Sequence, residues 1–86
     1  MYLHFGSNVI VPDTAVVAIF DIDNATHSHI TREFLNLAEK RGQIVNVSED
    51  IPKSFIVCVE NGKTAVYLSQ LSSRTLKGRA GTARFD

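Results

Sequence analysis

The chain has 86 residues, 44% of them hydrophobic and 21% charged, with one cysteine and nine bases balancing nine acids. That length allows one small domain with a marginal core and excludes a two-domain enzyme, while the single Cys58 excludes a disulfide framework and a cysteine-rich zinc site. The first residues lack the basic and apolar regions of a signal peptide, and no apolar run reaches the roughly 20 residues of a membrane helix, so the expectation is a soluble, cytoplasmic protein.

In chain order, Tyr2-Leu3-His4-Phe5 and Val9-Ile10-Val11 flank Gly6-Ser7-Asn8, a pattern that predicts a hairpin or a sharply bent strand. Pro12-Asp13-Thr14 breaks the run, because proline cannot donate to a central ladder. Ala15 to Phe20 is β-branched and apolar on both faces, which predicts an internal buried strand rather than an edge. After Asp21-Ile22-Asp23-Asn24 the period lengthens: Ile30, Phe34, Leu37 and Ala38 share one helical stripe. The expected helix runs from Thr26 to Arg41, capped by Thr26 or Ser28 and stopped by Lys40, Arg41 and the left-handed capacity of Gly42.

Gln43 to Val47 predicts a short strand and residues 48–52 a loop. Lys53 to Glu60 and Lys63 to Gln70 then enclose Asn61-Gly62, the strongest short-range signal for a type I′ hairpin. A two-residue turn pairs Glu60 with Lys63, Val59 with Thr64, Cys58 with Ala65 and Val57 with Val66. One face of this hairpin carries Phe55, Val57, Val59, Thr64, Val66 and Leu68; the other carries Ile56, Cys58, Ala65 and Tyr67, with Glu60 and Lys63 only near the tip, so both read as apolar. One helix covers one face, and little chain remains for the other. The expectation is a homo-oligomer in which a second copy covers Ile56, Cys58, Ala65 and Tyr67. Ser72-Ser73 caps a short basic helix over Arg74 to Arg79, and residues 80–86 read as a frayed tail. The fold class is therefore α+β: a single domain over residues 1–86, with antiparallel hairpins packed on one main amphipathic helix and a short C-terminal helix.

Most chemical motifs fail on context. Asp21-Ile22-Asp23 follows an apolar strand, as in aspartate-nucleophile phosphatases, but Ala25 stands where Thr or Val belongs and the chain is too short for that domain. The simpler reading is two acids that end a strand and stabilise a helix start. Asp23, His27 and His29 invite a metal, yet residues two apart do not share a helical face. Gly62-Lys63-Thr64 lacks the earlier glycine of a phosphate-binding loop and sits in a hairpin turn. Cys58 lies mid-strand with no basic neighbour, so it reads as a small core residue. No enzyme activity, metal or cofactor is expected.

Charge is divided along the chain. Residues 1–60 hold eight acids and four bases, whereas residues 61–86 hold five bases and one acid. Arg74, Lys77 and Arg79, extended by Lys53, are the candidate nucleic-acid-binding residues, since clustered cations displace counterions from phosphates. One subunit supplies few contacts, but an assembly repeats them. The competing reading is a basic helix that serves a subunit interface.

The segment Met1 to Ser7, the run Val17-Ala18-Ile19-Phe20-Asp21, Pro52-Lys53-Ser54 ahead of a β-branched strand, and Leu71 to Lys77 together resemble the RemB branch of the RemA/RemB family. These are small bacterial extracellular-matrix (biofilm) regulatory proteins, often catalogued as a domain of unknown function. The resemblance implies a small α+β domain related to the LytTR DNA-binding fold and a ring-like homo-oligomer. For the RemA branch it also implies transcriptional activation through direct DNA binding. The Arg-rich loop of RemA-type sequences corresponds here to Ser48-Glu49-Asp50-Ile51-Pro52-Lys53, which is acidic and keeps only Lys53. No arginine pair carries over from that loop. The basic residues lie instead at Arg74, Lys77 and Arg79.

Overall fold

A computed structural model describes residues 2–6, 9–25 and 28–80. The N-terminal segment forms the expected hairpin, β1 (Tyr2–Gly6) against β2 (Val9–Pro12). Its register slips between His4 and Gly6, so Phe5 has no partner in the ladder. Asp13–Ala15 make one 3₁₀ turn, and β3 (Val16–Asp21) follows. Two helices come next, the single turn α1 (Ile22–Ala25) and α2 (His29–Lys40). They lead to β4 (Ile44–Asn46), the hairpin β5 (Ser54–Glu60) and β6 (Lys63–Ser69), and finally α3 (Ser73–Ala80).

The main sheet has the order β3-β5-β6-β4, with β4 parallel to β6 and the other neighbours antiparallel. β3 and β4 therefore run the same way, with the hairpin inserted between them as in a split β-α-β unit. Its register is the one the Asn61-Gly62 turn requires, from Glu60 opposite Lys63 to Val57 opposite Val66. Asn61 and Gly62 both adopt positive φ, at 54° and 77°.

Local chemistry sets the ends of α2. Ser28 is extended, and its hydroxyl accepts from the Thr31 amide at 3.4 Å, so the helix begins after Ser28 rather than at Thr26. Thr26 and His27 lie outside the described residues. At the other end Gly42 takes φ 70°, its amide donates to the Glu39 carbonyl, and the Gln43 amide donates to Ala38, a Schellman pair. The basic C-terminal helix extends through Ala80, one residue into the expected tail; residues 81–86 lie outside the described residues.

Three expectations need correction. β3 is an edge strand, because the tight hairpin occupies two adjacent positions and leaves β3 with one neighbour; Val17 is 60% exposed. The helical stripe also differs. Ala38 and Leu35 pack against Phe55, Val66 and Leu68, whereas Ile30, Phe34 and Leu37 stay exposed. Finally, the hairpin face assigned to a second copy is largely covered from within the chain. Ile56 and Cys58 are buried in a cluster with Leu3, Phe5 and Val11 from the first hairpin and Leu76 from α3. Ala65 and Tyr67 remain half-buried, and the Tyr67 ring meets Phe5 edge-on at 5.4 Å. Full burial of a side chain the size of Phe5 or Ile56 stabilises by about 1.5–3 kcal/mol, sufficient reason for the N-terminal hairpin to dock there. The Ser69 hydroxyl reinforces the docking by donating to the Phe5 carbonyl at 2.7 Å.

Candidate nucleic-acid interface

The candidate basic residues come from two segments that meet at one end of the sheet. Lys53 precedes β5; its amide donates to the Ser69 carbonyl at 2.8 Å, and its carbonyl accepts from the Ile22 amide at 3.0 Å. The next residue, Ser54, is fully buried and donates its hydroxyl to the Leu71 carbonyl at 2.7 Å. Those bonds hold the entry to α3 beside Lys53. Ser72 then caps α3: its hydroxyl accepts from the Thr75 amide at 3.1 Å and donates to the Thr75 hydroxyl at 2.9 Å. Leu76, 2% exposed, inserts into the core and orients the helix.

With Leu76 turned inward, Arg74 is exposed and Lys77 is half-buried. The Arg79 side chain lies outside what the structure describes. Lys53 is exposed. This end of the sheet also carries acids. Asp21 pairs with Ser54 in the ladder, Asp23 lies on α1, and the loop before β5 holds Glu49 and Asp50. The electrostatic surface is therefore basic along α3 and mixed around Lys53.

The remaining polar residues take structural roles. The Asp21 carboxylate accepts from the Asn24 amide at 3.3 Å, as expected of a strand-ending acid that stabilises a helix start. His29 pairs with Glu33 at 2.8 Å on the exposed side of α2. Among the described residues no group of His, Cys, Asp and Glu is placed to hold a metal. Burial, aided by the nearby Glu60 carboxylate, pushes the Cys58 thiol up to about 12, which keeps it protonated and unreactive. Tyr67 shifts the same way, chiefly through burial and then through Cys58 and Glu60. No helix among the described residues is long and apolar enough to cross a membrane.

Sequence reasoning missed an apolar groove of about 320 Å³ between α2 and the β3 side of the sheet. Val17 and Phe20 line it from β3, Phe55 and Val57 from β5, and Ile30 and Phe34 from α2. Phe20 stacks on Phe55 with ring centroids 4.8 Å apart. The signal was present in Leu35, which lies beside the Ile30, Phe34 and Leu37 ridge and packs with Ala38 on the sheet, so α2 has apolar residues on two sides.

Residues 2–80 match the RemA-like family, described as extracellular matrix regulatory protein A-like. The chain is also 40% identical over 80 residues to extracellular matrix regulatory protein B of Bacillus subtilis (strain 168), covering 93% of this chain and 90% of that protein. With nearly the whole described fold inside the match, the chain belongs to the RemA-like family.

Proposed function

We infer that this chain is a bacterial, non-enzymatic regulator of extracellular-matrix (biofilm) genes that works in the cytoplasm as a homo-oligomer. It holds double-stranded DNA through phosphate contacts repeated around a ring. Membership of the RemA-like family and the regulatory name of its Bacillus relative support the regulatory role. The single observation that carries the DNA reading is the placement of Arg74 and Lys77 on a capped, core-anchored helix beside Lys53. Cations on rigid elements lose little freedom on meeting a phosphate, and repetition around an assembly turns a few weak contacts into useful affinity.

A second reading has its own support. Asp21, which pairs with Ser54 in the ladder, and Glu49 and Asp50, in the loop ahead of Lys53, oppose a polyanion, which favours an oligomeric adaptor whose partner is a protein. Fluorescence anisotropy with duplex DNA separates the two. The DNA reading expects binding that weakens with salt. Replacing Lys53, Arg74, Lys77 or Arg79 with Ala should lower the log–log slope by about 0.9 for each phosphate that is no longer neutralised. Absence of binding at low salt, or unchanged binding in the fourfold variant, overturns it and leaves the adaptor.

A further inference from the structure

We propose that the groove between α2 and β3 is where two copies of this chain meet, each placing its α2 in the groove of the other. A four-stranded sheet with strands about 4.8 Å apart is wider than a single helix about 10 Å across. Here α2 sits with Ala38 and Leu35 over the Phe55–Val66–Leu68 region. The other long enough helix, α3, packs on the opposite face through Leu76. Among the described residues, the β3 side of the α2 face therefore lacks its helix.

The shape of the groove selects a helix over a strand. The β3 edge is irregular, its register breaking between Val16 and Ala18, and bulged edges resist strand addition. The groove is instead floored by Phe20, Phe55 and Val57. A helix suited to it presents apolar residues at i, i+4 and i+7. In this chain α2 has that ridge in Ile30, Phe34 and Leu37, with Ile30 77% exposed. The ridge of α2 is also the wall of its own groove, so one surface supplies both halves of the contact, as a two-fold interface requires.

The area is also that of a pair. Val17, Phe20, Ile30, Phe34 and Leu37 leave on the order of 500 Å² of apolar side chain in water, at the upper end of what one patch on a monomer exposes. Two copies that covered this surface completely would bury at most about 1,000 Å² of it, which reaches the threshold for a specific interface. The inference rests on the self-association in the proposed function but not on DNA binding. Larger rings would be built from these pairs through other surfaces.

The test is the light-scattering mass of the full chain and of two variants at exposed groove positions, Ile30→Glu and Val17→Lys. Both are expected to keep the wild-type circular dichroism spectrum, and the mass is expected to halve, or to require at least tenfold more protein for the same value. Two exposed sites on different elements guard against one variant misfolding. Wild-type mass in both folded variants overturns the groove while leaving self-association intact. A wild-type protein that stays at the monomer mass at about 100 µM overturns both the pair and the assembly reading.

Discussion

Ser69→Ala isolates the contact that fastens the first hairpin to the main sheet. Ser69 is fully buried, donates to the Phe5 carbonyl at 2.7 Å and accepts from the Leu71 amide at 3.0 Å. Phe5 falls at the register break of β1, where the hairpin ladder skips it, so the hydroxyl meets a carbonyl that the local strand pairing passes over. Replacement with Ala strips one buried and one part-buried main-chain group of these partners. At about 1–2 kcal/mol for each, the expected loss is about 2–4 kcal/mol. An 86-residue domain has about 4–13 kcal/mol of stability in all, so the change removes a large share. The melting temperature should fall by about 10–25 °C, measured at a fixed protein concentration so that self-association does not shift the midpoint. Ser48→Ala is the matched control. Its hydroxyl accepts only from the exposed Asp50 amide at 3.1 Å, and the expected loss is below about 1 kcal/mol. Hydrogen exchange should quicken in β1 and β2 of Ser69→Ala. A Ser69→Ala melting point within about 2 °C of wild type, with unchanged exchange in β1, would refute the reasoning.

Two further tests address Cys58 and the glycines. Between the ordinary thiol value of 9.0 and about 12, folded Cys58 keeps a proton that the unfolded chain has released. Stability is therefore fully present below pH 9 and declines as pH rises through that window, and Tyr67 acts in the same direction. Urea midpoints from pH 8 to pH 11 should fall more steeply for wild type than for Cys58→Ala; equal slopes would show that the thiol contributes nothing. Gly42→Ala and Gly78→Ala should have opposite signs. Nothing lies within 4 Å of a Cβ built at either position, but Gly42 sits at φ 70°. Alanine there is expected to cost about 1 kcal/mol, whereas at Gly78, inside α3, it should stabilise by about 0.5–1 kcal/mol in urea unfolding. A destabilised Gly78→Ala would contradict the helical assignment of α3.

What was legible in the sequence was local. Asn61-Gly62 specifies its hairpin register because both residues accept the positive φ of a type I′ turn, which matches the strand twist, and Ser28, Gly42 and Ser72 mark helix ends because their backbone or hydroxyl groups satisfy orphan amides and carbonyls. The basic character of α3 was equally plain. The short turn α1 was not, since four residues give no period to read. The parallel pairing of β4 with β6 was also hidden, because it joins residues more than 20 positions apart across a loop and the whole of β5. Among the candidate residues, Lys53 and Arg74 were recognisable as charges, but that the segments carrying them are joined, through the Ser54–Leu71 bond, was not.

By itself the sequence determined most of the strands and the two longer helices, where the main hairpin turns, and that the chain has more apolar surface than a lone helix can cover. The tertiary structure decided where that surplus lies. From the alternation of Ile56, Cys58 and Tyr67 alone, either the N-terminal hairpin or a second copy can cover that face, because hydrophobic burial has no direction. The chain's own hairpin does so, held by Ser69, since a tethered segment reaches the face at a far higher effective concentration than a second molecule. The uncovered surface was thereby moved to the α2–β3 groove, where one helix is too narrow for four strands.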